Sequence, residues 1–256
     1  MSDADREVML VRDCMTSPVV TERPDVSANA LVAVLRLRGV SAVPIVDHDE
    51  LVGIVSTTDL LRAPSDAPAT DVMTRAVLTA TPDDSLDDAA RRLAVGHVHR
   101  LVVVDDGRVA GILSARDILA EVRRRKVTNA LSEIMRTPVE AIEIGTPVRD
   151  ALDRLAQANV HGIVVVDGSA PVGVFTHTEA LAARKLPPAL LDSPVEEVMS
   201  YETICLDAST PIHRVASYMV SMNVRRILVV EHRRLVGIVS SLDIIDVLAR
   251  APETEH

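Results

Sequence analysis

Aromatic residues are nearly missing from this chain: it has no tryptophan, two tyrosines and one phenylalanine in 256 residues. With 48% of its residues hydrophobic, any core must therefore be built from aliphatic side chains. Cysteine is equally scarce. Cys14 and Cys205 are expected to pack as small apolar groups in a reducing setting, not to form a disulfide. No apolar run approaches the ~18 residues that a membrane span needs. Residues 1–7 are acidic and lack the basic-then-apolar profile of a secretory signal, so the expected location is cytoplasmic. Lysine occurs only as Lys126 and Lys185, so nearly every positive charge is an arginine, whose planar fork suits bidentate phosphate contacts. The net charge of −10 argues against nucleic acid as a partner, though a local basic cluster would suffice for a phosphate.

The motifs of common catalytic machinery are also lacking. There is no Gly-x-Ser-x-Gly elbow, no P-loop, no Cys-x-x-Cys and no His-Glu-x-x-His. No nucleophile has a base beside it. His97 and His99 are expected on one strand face, but with no third ligand a metal site is not expected. The reading is of a protein that is not an enzyme.

What the chain does contain is repetition. Gly53-Ile54-Val55-Ser56-Thr57-Thr58-Asp59 recurs as Gly111 to Asp117, as Gly173 to Glu179 and as Gly237 to Asp243. Each copy is preceded by a methionine, Met15, Met73, Met135 and Met199, and the Met-to-Gly interval is 38 residues in all four. This is a repeat protein. In the first copy, residues 27–38 have helical apolar spacing with Ser27 as N-cap and Gly39 as stop. Residues 42–46 and 51–55 read as two strands joined by the polar turn Asp47-His48-Asp49-Glu50, and a helix follows from Thr57 to about Leu61. Each unit therefore reads β-α-β-β-α, an α/β (α+β) class, with helices at 85–94 and strands at 101–104 and 109–113 in the second copy. Residues before about Val11 and after Ala251 are expected to be loose ends, and Arg123 to Lys126 to be favourable charge at a helix C-terminus. A unit of ~55 residues cannot cover its sheet alone, so repeats must pair face to face.

A hydroxyl followed three residues later by an acid, at the start of a helix, has two chemical uses. It can act as a capping box, closing the helix end on itself. The same helix N-terminus favours an anion, the hydroxyl can donate to a phosphate, and the acid can accept from two vicinal ribose hydroxyls. Counter-charge is expected 26 and 27 residues after each methionine. Those places hold Ser41-Ala42, His99-Arg100, His161-Gly162 and Arg225-Arg226, so repeats two and four carry the cations.

The Met-Thr start, the strand ending in two apolar residues and Asp, and the Gly-x-x-Ser/Thr-x-x-Asp close resemble CBS domains, in four copies over nearly the whole chain. The run Val98 to Asp105 is similar to the gamma subunit of AMP-activated protein kinase, which also has four CBS repeats. The resemblance implies two Bateman modules. Residues 1–127 hold repeats at about 11–62 and 70–124, and residues 128–256 hold repeats at about 131–184 and 194–248. These would close as a pseudo-fourfold disc within one chain or across a homodimer. It further implies ribose acids at Asp59, Asp117, Asp243 and, one methylene longer, Glu179. Phosphate contacts would fall to Ser56, Thr57, Ser114, Thr176, Ser240, His99, Arg100, Arg225 and Arg226. The expected function is regulatory binding of an adenine nucleotide that signals to a protein partner, with no obligatory cofactor. AMP or ADP is favoured over ATP or S-adenosylmethionine, because more phosphates need more cations. The alternative is an assembly scaffold with vestigial sites.

Overall fold

The computed structural model describes residues 8–60, 63–158, 160, 162–183 and 187–249. The expected ends of the first helical segment (Leu61), of repeats one and three (Arg62, Arg184) and of the chain (Ala251 to His256), together with residues 1–7 and His161, lie outside the described residues.

Repeat one contains α1 (Val11–Cys14), α2 (Ala28–Arg38), β1 (Ala42–Asp47), β2 (Glu50–Ser56) and α3 (Thr57–Leu60). Repeat two has α4 (Ala69–Val72), β3 (Thr79–Ala80), α5 (Leu86–Val95), β4 (Arg100–Asp105), β5 (Arg108–Ser114) and α6 (Ala115–Arg125). Repeat three has β6 (Ala141–Glu143), α7 (Val148–Gln157), β7 (Gly162–Asp167), β8 (Ala170–Thr176) and α8 (His177–Ala183). Repeat four has β9 (Cys205–Asp207), α9 (Ile212–Met222), β10 (Arg226–Glu231), β11 (Arg234–Ser240) and α10 (Ser241–Ala249). Single 3-10 turns stand in place of a first helix in repeats three and four, at Leu131–Glu133 and Val195–Glu197. In repeat one the first strand shrinks to a single bridge, Glu22 to Ile45.

Local sequence accounts for most of these boundaries. Ser27 accepts a hydrogen bond from the Ala30 N–H at 3.3 Å, and Gly39 closes α2 at φ 65°, in the left-handed region that only glycine enters without strain. Ser85 caps α5 through the Asp88 N–H at 3.1 Å. Each β hairpin turns over two residues. His48 and Asp49, Asp106 and Gly107, and His232 and Arg233 all take positive φ, as the strand twist requires. All four hairpins carry an irregularity at the same place, after Ile45, Val103, Val165 and Val229, so the repeat extends to a bulge.

The chain divides into two compact units. One comprises Met1–Ile118 with Ile245–His256, the other Leu119–Ile244. In the first unit the strands form a five-stranded sheet in the order β1-β2-β5-β4-β3, joined through the antiparallel pair Glu50 and Arg108. In the second, two three-stranded sheets, β6-β7-β8 and β11-β10-β9, lie against each other. Val164 and Val166 of one meet Leu228 of the other in a buried cluster with Val139, Leu235 and Ile238. Strands covered on both faces read as continuous apolar runs, which is why Leu101 to Val103 and Ile163 to Val165 are all buried.

Within each unit the paired repeats exchange their opening segments. Met15 of repeat one lies against Gly111 of repeat two, and Met73 of repeat two against Gly53 of repeat one. Met135 likewise meets Gly237, and Met199 meets Gly173. Backbone bridges follow the same crossing: Thr16 with Ile112, Ile54 with Thr74, Arg136 with Ile238 and Val174 with Ser200. The core of repeat three is accordingly completed by Val195 and Met199 of repeat four, around Phe175, a fully buried side chain and the only phenylalanine of the chain. Of the end expected to be loose, the described residues Met9 and Val11 are tied to repeat two. The Leu86 N–H donates to the Met9 carbonyl at 2.8 Å, and the Val11 N–H to that of Asp84 at 2.9 Å. No disulfide joins Cys14 and Cys205; Cys205, expected to pack inside, is exposed on β9, a short edge strand.

Candidate nucleotide site

Four helix N-termini share one construction. In each, the last strand residue carries the hydroxyl, and the acid sits in the first turn of the following helix. The Asp59 Oδ2 accepts from the Ser56 N–H at 2.7 Å and from the Ser56 Oγ at 2.6 Å. Asp117 holds Ser114 at 2.8 and 2.6 Å, and Asp243 holds Ser240 at 2.8 and 2.5 Å. In repeat three the Glu179 Oε2 accepts from the Thr176 N–H at 2.9 Å and from its hydroxyl. The longer acid thus reaches the same atoms. These are capping boxes, completed in repeat four by the Asp243 N–H donating to Ser240 Oγ at 3.3 Å.

The cap uses one carboxylate oxygen. Among the described residues, no contact is made by the Oδ1 of Asp59 or Asp117, and the four lone-pair positions of a carboxylate leave room for further donors. Both side chains are half-buried, open on one side to solvent.

The cation positions lie beside these boxes because of strand register. Arg100 is the cross-strand partner of Ser114, and Arg226 of Ser240, while Ala42 and Gly162 take that place in repeats one and three. The preceding residue is tied to the helix end. The Ala115 N–H donates to the His99 carbonyl at 3.0 Å, the Ser241 N–H to that of Arg225 at 3.0 Å, and the Thr57 N–H to that of Ser41 at 3.1 Å. The Thr57 hydroxyl also donates to the Ser41 carbonyl, at 3.2 Å, whereas the buried Ser241 hydroxyl in the equivalent place has no hydrogen-bond partner among the described residues. Residues chosen from sequence as sugar-binding and phosphate-binding are thus neighbours in every repeat.

Two contacts between repeats were not readable from the motif. The Arg100 guanidinium reaches across to the Ser41 hydroxyl of repeat one. In the other unit, Arg136 of repeat three donates through Nε to the Asp243 Oδ1 of repeat four at 2.6 Å, so both oxygens of that acid are engaged. The only hint in the sequence is that Arg136 follows its methionine where Thr16, Thr74 and Ser200 follow theirs. Partial desolvation, with the charge of Arg225 added, pushes the Arg226 guanidinium below its ordinary value, and Asp243 draws it back up. An arginine stays charged throughout, so Asp243 is held by Arg136 and feels the charge of Arg226, beside which stands Arg225.

Two other expectations change. His97 has a φ of 50° in the turn before β4, so it does not share a strand face with His99. The basic run after Val122 does more than face solvent: Arg124 and Arg125 donate to the buried Glu121 at 2.6, 2.8 and 2.7 Å. Burial would push that carboxyl up, but the arginine hydrogen bonds outweigh it and hold it below the ordinary glutamate value. Among the described residues no three His, Cys, Asp or Glu side chains are grouped to hold a metal, and no helix is long and apolar enough to cross a membrane.

The repeated architecture defines a class, and comparison with known proteins gives its name. The CBS domain model matches residues 11–66, 69–124, 131–185 and 195–250, and the chain belongs to the CBS domain family. It is 26% identical over 191 residues to the Methanocaldococcus jannaschii protein MJ1225, a match covering 67% of this chain and 68% of that one. It is also 26% identical to MJ1404 of the same organism, over 93% of this chain and 62% of the relative, so it spans about two thirds of the length of these relatives. The crystal structure of MJ1225, which has been proposed as an archaeal homolog of g-AMPK, shares the fold with a TM-score of 0.77 at 16% identity, covering 94% of this chain and 100% of that chain. A conserved protein from Pyrococcus horikoshii does so with a TM-score of 0.71 at 24% identity and the same coverage.

Proposed function

We propose that this chain is a non-catalytic regulatory protein that binds adenine nucleotides between paired CBS repeats and passes the bound state to a protein partner. The modules would be residues 1–127 and 128–256. One observation carries the reading: each helix N-terminus presents an acid whose hydroxyl partner stands cross-strand from the position that carries an arginine in repeats two and four. The acid takes the ribose diol, and the helix end and arginine take the phosphate. Asp117 with Ser114, His99 and Arg100 forms one such set; Asp243 with Ser240, Arg225 and Arg226 forms the second. Asp59 with Ser56 and Thr57, and Glu179 with Thr176, lack an arginine in register and are the weaker sites. With so few cations per site, AMP or ADP is preferred to ATP or S-adenosylmethionine. The setting is cytoplasmic.

A ligand acts on the partner only through its differential affinity for two arrangements of the repeats. Thermal melts with AMP, ADP, ATP and S-adenosylmethionine test the binding step. A nucleotide at about 100 times its dissociation constant should add about 2.7 kcal/mol, and Asp117→Ala should remove most of that gain. A second reading has its own observation: every acid is already satisfied as a cap, and Asp243 is paired twice over. On that reading the chain is an assembly scaffold, and no nucleotide shifts the melt.

A further inference from the structure

The two arginine-bearing repeats differ in one contact. In repeat two the Oδ1 of Asp117 has no partner among the described residues, whereas in repeat four the Oδ1 of Asp243 is held by Arg136 at 2.6 Å. The Asp243 side chain is 8% exposed and that of Arg136 is 63% exposed. The acid cannot leave, but the arginine can swing into water at little cost in packing.

A ribose diol that takes the Oδ1 of Asp243 must displace this guanidinium. A neutral sugar then replaces a charge-assisted hydrogen bond with weaker ones, and leaves a half-exposed cation and a buried anion apart. The exchange is favourable only when the ligand brings a negative group that becomes the new counter-ion of Arg136. Arg226, cross-strand from Ser240 and within reach of the Asp243 charge, points to the same requirement, since with Arg136 it gives that acid two cations, and Arg225 stands beside it.

We propose that Arg136, contributed by repeat three, is the specificity-determining residue of the repeat-four site: it competes with uncharged ligands for Asp243 and admits nucleoside phosphates, diphosphates ahead of monophosphates. Adenosine and the cationic sulfonium of S-adenosylmethionine are rejected there. The repeat-two site, with no arginine on its acid, makes no such demand. This rests on the nucleotide-binding reading above.

The test is calorimetric titration of the full chain carrying Asp59→Ala and Asp117→Ala, with ADP, AMP and adenosine as probes, with and without Arg136→Ala. With Arg136 present, ADP should bind far more tightly than adenosine. Arg136→Ala should strengthen adenosine and lower the ADP-to-adenosine affinity ratio by about tenfold, which is about 1.4 kcal/mol. Arg136→Lys, which keeps the charge and loses the fork, should hold part of the ratio and serves if the alanine variant misfolds. A ratio unchanged within about twofold in both variants overturns the proposal while leaving nucleotide binding intact. If neither the unmodified chain nor any variant binds a nucleotide, the underlying reading fails and takes this one with it.

Discussion

Asp117 and Asp243 occupy the same place in the same motif, yet among the described residues only Asp243 has both carboxylate oxygens engaged. In the first unit the interrepeat arginine, Arg100, runs to the Ser41 hydroxyl and leaves the acid of its own repeat open. In the second unit the interrepeat arginine, Arg136, runs onto the acid itself. The same repeat motif can therefore leave its acid in two different states of engagement. The deciding residue lies outside the motif, on the opening segment contributed by the partner repeat.

The largest effect should come from testing whether the exchange of opening segments holds each pair together. A Cβ on Gly111 would sit 2.9 Å from the Thr16 carbonyl oxygen as well as 2.8 Å from the Met15 sulfur, whereas on Gly53 its three nearest neighbours are all Met73 side-chain atoms, the nearest at 2.4 Å. Gly111→Ala should therefore destabilise the first unit by about 2–3 kcal/mol. Chemical denaturation should show no rescue by Met15→Ala, because the backbone contact remains. Gly53→Ala should cost less and be largely rescued by Met73→Ala.

Next in size is Glu121, whose carboxylate is buried and bound by two arginines, one of them mostly exposed. Glu121→Gln should cost about 1.5–3 kcal/mol at neutral pH. Because its folded pKa lies below the ordinary 4.5, this stability is fully present above that value and is lost as pH falls through the folded one. Denaturation midpoints of the variant and the natural chain should therefore converge once the pH has fallen through the folded pKa, which lies below 4.5. A gap that persists there would assign the effect to packing.

Smaller again, and a direct probe of the contrast between the two acids, is Arg136→Ala without ligand. It should cost about 1 kcal/mol, since a nearly buried carboxylate loses one charged donor while keeping the two from Ser240. Asp117 has no such partner to lose. Ser85→Ala should cost about 1 kcal/mol or less through the cap of α5, with no change in nucleotide affinity. Affinity that moved with Ser85 would show that the sites respond to helix stability in general.

What was legible in the sequence was whatever depends on near neighbours. Four copies, the paired strands of each, the Ser27 cap and the Gly39 stop each involve residues a few positions apart, so their chemistry is written locally, whereas the turn expected over 47–50 tightens to two residues and Ser85, expected inside its helix, caps it. The site could be approached for the same reason: the hydroxyl and acid are one helical turn apart, and the cation faces the hydroxyl across a hairpin. The interval of 38 residues between each methionine and glycine was equally visible, but it is compatible with packing inside a repeat or between repeats.

Only the tertiary structure decided that each methionine belongs to its partner, that Met9 and Val11 are tied to repeat two, that Arg124 and Arg125 serve a buried glutamate, and that Arg136 lies on Asp243. The reason is physical. A capping box is specified by residues three apart on one helix, whereas Arg136 and Asp243 are 107 residues apart and meet only after two repeats have folded against each other.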